Sequence, residues 1–366
     1  MSDQTFVIGH SKWDLDTPAY VIDLDVLERN IERMSSRIRA GGVGWRPHTK
    51  GIKVPALAHK LLRAGAFGVT CAKVGEAEVL AGAGIRDIMV ANQVVGAPKI
   101  ARVVNLLPWA DVIVAVDDPS NVAALSCAAA EKGVELRVVI EVDTGMKRAG
   151  VTPGEPVVRL ARVVHDAPNL RLAGVMGWEG HVIRIEDPAE KRAVVERSVG
   201  MLVDSAEACR REGMPIDIVS CGGTGDYTYS ANVPGVTEVQ AGGGIYCDVM
   251  YRQGMHVDHE YAATILATVI SRPTPTRIIT DSGKKTMSSD GALPEPLIED
   301  QVLSVALAAE HATIEVAEPS KLKVGDKIEF IVGYTDTTTM LHDELYAVRG
   351  GKVEVIWPIL GRGKLR

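Results

Sequence analysis

The segment Arg46-Pro47-His48-Thr49-Lys50 places a lysine at the exit of a short apolar run, just ahead of a helix that begins near Val54. Removing water from an ammonium group is costly unless the group is neutralised or paired. A lysine pushed towards its neutral form is a nucleophile for carbonyl carbons and forms Schiff bases. His48 lies two residues upstream and is a second candidate for catalysis in this segment. The competing reading is an ordinary surface lysine in a turn, since charged side chains are seldom buried. The elements around Lys50 decide between the two.

From Val43 to Gly244 the chain repeats one phrase: a short β-branched run, a glycine or polar turn, then an amphipathic helix. The strand-like runs are Val43–Arg46, Phe67–Cys71, Asp87–Ala91, Asp111–Val116, Leu136–Val142, Leu170–Met176, Ile216–Ser220 and Thr237–Gln240. Helical patterns lie between most of them, among them Val54–Arg63, Asn121–Lys132 and Lys191–Arg211. Near-continuous apolar strands alternating with helices indicate a parallel sheet covered on its outer face. Eight such units predict an α/β fold, a (β/α)8 barrel of the TIM type, over an open doubly wound sheet. The last unit is the weakest, because Ser230–Val236 reads as a linker. A surplus strand, Ala19–Leu24, precedes the first helix, and after Met255 the pattern turns to strands separated by Gly, Pro and Asp. The expected organisation is a barrel over residues 25–255 and a C-terminal mostly-β domain, 256–366, with the surplus strand in residues 1–24 pairing outside the barrel.

Bulk composition narrows the function. The 366 residues are 46% apolar and 24% charged, with a formal net charge of −7, which argues against a nucleic-acid partner. No apolar stretch approaches a membrane span and no signal pattern opens the chain, so a cytoplasmic protein without membrane association is expected. Cys71, Cys127, Cys209, Cys221 and Cys247 show no metal or disulfide spacing.

In such barrels chemistry gathers where strands deliver their C-terminal ends. Those ends carry Lys50, Lys73, Asn92, Asp117, Asp143, Glu179 with His181, and two glycine-rich turns, Gly222-Gly223-Thr224-Gly225 and Gly242-Gly243-Gly244. Glycines there let backbone N–H groups approach an anion, and barrels often bind phosphate between the seventh and eighth strands. Arg148 follows the fifth strand, on a loop facing the same rim. A Schiff-base lysine, a phosphate cradle and a rim arginine together point to pyridoxal 5'-phosphate.

The chain resembles the D-threonine aldolase/D-serine dehydratase family of alanine-racemase-like, fold-type III pyridoxal-phosphate enzymes. The matching elements are Thr17-Pro18, Asp23-Leu24-Asp25, Arg46–Lys50, Gly75-Glu76-Ala77-Glu78, Asp143-Thr144-Gly145 with Arg148 and Gly150-Val151, Gly222–Gly225, Gln240-Ala241-Gly242 and Leu341-His342-Asp343-Glu344. The resemblance implies that Lys50 carries the cofactor, that Arg148 faces its pyridine nitrogen, and that Gly223, Thr224, Gly242 and Gly243 hold its phosphate. Trp178, where the family often has tyrosine, is expected beside the cofactor. The resemblance also implies a head-to-tail homodimer whose β domain completes the partner's barrel mouth, with the strand before the first helix joining that domain.

One segment departs from the family. His-x-Cys or His-x-Asp usually precedes the Leu-His-Asp segment and holds a divalent cation at the substrate's β-hydroxyl; this chain has Tyr334-Thr335-Asp336. A neutral phenol is a poor metal ligand and one carboxylate alone binds weakly, so Asp336 is the remaining candidate for a manganese, magnesium or zinc ion. Tyr334 is the candidate acid–base group in its place. The expected activity is retro-aldol cleavage of a β-hydroxy-D-amino acid. The alternatives are dehydration of D-serine or 3-hydroxy-D-aspartate, racemisation between Lys50 and Tyr334, or cofactor binding without catalysis.

Overall fold

The alternating runs of the first two-thirds of the chain form eight parallel strands in a computed structural model that describes residues 5–366; residues 1–4 of the expected amino-terminal segment lie outside the described residues. The strands are Gly44–Trp45, Val69–Cys71, Asp87–Gln93, Asp111–Val116, Leu136–Glu141, Leu170–Met176, Ile218–Cys221 and Glu238–Val239. Each pairs with its sequence neighbour from the second onward, and the first pairs with the eighth. Thr49 N–H donates to the Thr70 carbonyl (2.7 Å) and Thr70 N–H to that of Pro47 (2.9 Å), which joins the two remaining ends. Met89, Ile113, Ala115, Val139, Ala173, Met176 and Ile218 form one buried cluster.

Helices cover the strands as their apolar spacing requires. Glu155–Asp166 buries Val157, Val158, Leu160, Ala161 and Val164, a single stripe at helical period. Asp118 caps Pro119–Lys132 by accepting the Ser120 N–H, and Gly133 ends it in the left-handed conformation (φ 67°). The helix Ala97–Leu106 completes the series. The weak last unit holds only a four-residue helix, Tyr227–Ser230.

The chain divides into two compact units. One comprises Met34–Lys50, Pro55–Gly242 and Gly363–Arg366; the other comprises the chain through Arg33, Gly51–Val54 and Gly243–Arg362. The second holds a mostly antiparallel nine-stranded sheet. Its long strand Ala263–Thr274 pairs antiparallel with Ala19–Asp23 (Ala19 opposite Leu266), which in turn runs parallel to Glu344–Arg349 (Val21 opposite Tyr346). The surplus strand therefore belongs to this sheet. Val7, Leu15, Val21, Leu266, Tyr346 and Val353 share its buried cluster. Two strands, Glu295–Leu297 and Val302–Leu307, escape the sequence reading; neither buries a residue fully, so neither shows a strong apolar alternation. No helix of the described residues is long and apolar enough to cross a membrane.

Candidate active site

In the barrel unit the Arg46–Lys50 segment is pinned on both sides. Arg46 N–H donates to Val239 O (3.0 Å), His48 N–H to Gln240 O (2.9 Å), and Thr49 Oγ1 to Thr70 O (2.9 Å). Arg46 itself is 1% exposed, ion-paired to Glu238 (2.9 Å) and to Asp87, with its guanidinium 4.5 Å from the Phe67 ring. Burial of that cation is matched by two carboxylates, which anchor the strand end. Lys50 emerges half-buried, and its N–H donates to His48 Nδ1 (3.3 Å). A side chain at Gly242 would collide with the His48 backbone, which explains the glycine there.

The Lys50 amine stands 5.3 Å from the centre of the Trp178 ring, and the Arg148 guanidinium stands 5.1 Å from the same ring. Two cations on one indole are favoured by the ring's negative face. Arg148 is further held by Glu141 (3.5 Å), whose other oxygen accepts from Gln93 Nε2 (2.6 Å). Gln93 also donates to Asp117 (3.2 Å). Asp143 Oδ1 accepts the N–H groups of Gly145 (3.0 Å) and Lys147 (2.9 Å), turning the loop that presents Arg148. His181 lies over Gly145 and hydrogen-bonds to Ser198 Oγ (3.2 Å).

The loop after the seventh strand turns on Gly222, at φ 73°. Gly222 N–H donates to Glu179 Oε1 (3.1 Å) and Gly223 N–H to Asp226 Oδ1 (2.8 Å). A side chain at Gly223 would stand 2.9 Å from Trp178 Nε1, so the indole also borders this loop. An amine, a guanidinium and a glycine-rich loop with a threonine, all at one barrel mouth, suit pyridoxal phosphate in chemical type.

The second unit carries Tyr334, Asp336 and Gly243. Tyr334 donates to Asp336 Oδ2 and Tyr251 donates to Asp336 Oδ1, each at 3.1 Å, with the two phenol rings 5.8 Å apart. Burial, reinforced by the neighbouring Asp336 charge, pushes both phenols well above their ordinary value. A side chain at Gly51 would collide with Asp336, and one at Gly243 with the Tyr251 hydroxyl. Asp248 accepts the N–H and hydroxyl of Thr335 and the N–H of Tyr251, all at 2.7 Å. His342 hydrogen-bonds through Nε2 to Thr286 O (2.8 Å) and packs its ring on Tyr20 (5.2 Å).

This donor set does not suit a divalent cation. Both Asp336 oxygens accept hydrogen bonds from protonated phenols, and a neutral phenol is a poor ligand. Among the described residues no three His, Cys, Asp or Glu side chains gather to hold an ion.

Asp248, Tyr251, Glu141 and Asp226 were not singled out in the sequence. Asp226 had a local signal, since it directly follows the Gly222–Gly225 turn. Asp248 and Tyr251 sit in a stretch with no motif spacing, and only the fold brings them to residues 334–336.

Known proteins match this architecture along nearly its whole length. The alanine racemase N-terminal domain family matches residues 22–249, and the putative serine dehydratase domain family matches residues 262–348. A 3-hydroxy-D-aspartate aldolase of Paracoccus denitrificans is 36% identical over 97% of this chain and 94% of its own. A D-threonine aldolase of an Arthrobacter species is 33% identical over 95% of this chain and 93% of its own. The crystal structure of D-threonine aldolase from Filomicrobium marinum superimposes with a TM-score of 0.95 at 33% identity, covering 98% of this chain and 99% of that one.

Proposed function

The chain belongs to the D-threonine aldolase/D-serine dehydratase family of alanine-racemase-like proteins, and from this we propose that it is a pyridoxal-phosphate-dependent lyase. Its reaction is retro-aldol cleavage of a β-hydroxy-D-amino acid to glycine, or a related amino acid, and an aldehyde. The observation that carries the reading is the convergence of the Lys50 amine and the Arg148 guanidinium on the Trp178 ring at the barrel mouth.

Lys50 would hold the cofactor through Nζ, with Arg148 towards the ring nitrogen and Trp178 beside it. Thr224 and the backbone of Gly242 and Gly243 would receive the phosphate, with Gly223, whose N–H donates to Asp226, shaping the turn around it. Bound pyridoxal phosphate supplies the electron sink for the Cα–Cβ bond pair. The protein's part is to take the β-hydroxyl proton. Tyr334 Oη accepts it while passing its own proton to Asp336 Oδ2, to which it is already hydrogen-bonded. As the hydroxyl oxygen becomes the aldehyde oxygen, Tyr251 keeps the Asp336 carboxylate aimed. No metal takes part. His48 supports Lys50 by accepting its backbone N–H, and a catalytic role for the ring is a further part of this reading. A carboxylate with a phenolic conduit serves a base better than an acid, which favours aldol cleavage over loss of hydroxide.

The proposed domains are a cofactor barrel over residues 25–255 and a β domain over residues 1–24 and 256–366; the compact units differ from these bounds, with residues 25–33, 51–54 and 243–255 in the sheet unit and 363–366 in the barrel unit. We assign a head-to-tail homodimer by analogy with the family, tested by sedimentation. The cysteines, none in a disulfide among the described residues, fit the cytoplasm.

The test is incubation of protein and pyridoxal phosphate with D-threonine and with 3-hydroxy-D-aspartate. Glycine and an aldehyde are expected. Keto acid and ammonia would instead mean a dehydratase, and deuterium exchange at Cα with inversion a racemase. Failure to take up a borohydride-reducible cofactor on Lys50 would overturn the reading altogether.

A further inference from the structure

Two carboxyl groups in the barrel unit have no part in that chemistry. Glu179 and Asp226 are each 1% exposed, and they hold adjacent amides of one turn, those of Gly222 and Gly223. Ionised carboxylates only accept, and two buried ones on adjacent amides repel, which favours a proton held by the pair. Their contacts agree. Gly222 N–H occupies Glu179 Oε1 and Gly223 N–H occupies Asp226 Oδ1, while Asp226 Oδ2 is buried with no N–H or hydroxyl donor reaching it. A proton held by the pair would supply that donor.

The pair's surroundings are mixed in charge. Lys191 and His181 favour an ionised Asp226. Lys191 is directed to the Ile183 carbonyl (3.1 Å), and burial lowers its pKa. Cys221, in the strand leading to the loop, is pushed up by burial and by Glu179, Asp226 and Glu238, and so stays a neutral thiol. The balance favours one negative charge on the pair: burial raises both carboxyls, and the Asp226 charge raises Glu179 further.

We propose that Glu179 and Asp226 act together as a singly protonated positioning unit that fixes the Gly222–Gly225 loop for the cofactor phosphate, so that cofactor affinity falls when the unit loses its proton. This rests on the reading that the loop holds pyridoxal phosphate. Removing the proton sets two carboxylates against each other, one on each of two adjacent loop amides. The sign follows from the raised folded-state values. The loop is fully set at and below the ordinary carboxylate range and is lost as pH climbs through the pair's raised value. Affinity then drops about tenfold for each pH unit over which the bound protein keeps the proton and the free protein has lost it.

Pyridoxal phosphate dissociation constants measured against pH for wild type, E179Q and D226N test this. Each variant places an amide donor beside the remaining carboxylate and has no shared proton to lose. Wild type is expected to weaken at high pH while the variants lose at least tenfold less affinity over the same range. A pH effect that arises away from the pair is common to all three and cancels in the comparison. An infrared difference spectrum of the cofactor-free wild type needs no variant and should show a protonated buried carboxyl that disappears on the same pH scale. Identical pH profiles for wild type and the folded variants, or no protonated carboxyl band, would overturn the proposal and leave the lyase reading standing. Absence of cofactor binding at every pH would overturn both.

Discussion

The backbone of Gly51 rests on the carboxylate of Asp336 so closely that a side chain at position 51 would collide with Oδ1. Gly51 follows Lys50, the lysine proposed to hold the cofactor, directly in the chain, and its lack of a side chain leaves room for the carboxylate proposed to receive the hydroxyl proton. Gly51→Ala must displace Asp336 or the turn after Lys50. Displacements of about 1 Å at reacting groups cost up to ~100-fold in rate. The expected result is a kcat lower by about ten- to a hundredfold with cofactor still bound, measured by turnover alongside cofactor absorbance. Unchanged kcat would separate Asp336 from the reaction.

Tyr334 and Tyr251 share Asp336 but have different assignments. Burial beside that carboxylate keeps the Tyr334 phenol protonated at neutral pH, so in the proposed reaction it would act as a conduit and not as a standing phenolate. Tyr334→Phe removes the conduit, and kcat for aldol cleavage should fall about 10²–10⁴-fold with little change in cofactor binding. Tyr251→Phe removes only an aiming hydrogen bond and should cost less. Equal losses in the two variants would show that Tyr334 has no special place, which parallel kcat and KM measurements would reveal.

Metal removal discriminates in the same region. Because both Asp336 oxygens accept phenolic hydrogen bonds, dialysis against a strong chelator should leave kcat unchanged, with elemental analysis confirming metal-free protein. Restoration of a lost activity by manganese or magnesium would mean that the phenols yield to an ion.

Much of the fold was legible because local pattern and tertiary role coincide. Asp111–Val116 and Leu170–Met176 are apolar and buried in the barrel except at Asp111 and Arg171, and their boundaries agree with the sequence reading residue for residue. Val302–Leu307 was missed because its alternate residues are half-buried or exposed, which leaves little hydrophobic contrast to read. Lys50, Arg148 and the two glycine turns were found at strand ends, where barrel topology gives sequence position a spatial meaning. Asp248 and Tyr251 have no such address. Their partners lie more than eighty residues away, and nothing in local spacing marks a contact made by a sheet-domain loop.

Asp248 yields the last prediction. It is fully buried, and its three hydrogen bonds join Thr335, which lies between Tyr334 and Asp336, to the backbone of Tyr251. Burial pushes its pKa up to about 7, against the pull of those hydrogen bonds. A carboxyl raised on folding contributes most to stability below its ordinary value, and that contribution is lost as pH climbs through about 7. Asp248→Asn has no such titration, although its amide group must face a donor and should cost about 1–3 kcal/mol. The stability advantage of wild type over Asp248→Asn should therefore shrink between pH 4 and pH 7, by about 1.4 kcal/mol per pH unit at most, and level off above. Urea unfolding of both proteins across that range measures it. An advantage that stays constant, or grows with pH, would show that Asp248 is ionised throughout and that the clamp on the Tyr334–Asp336 segment is a permanent anion.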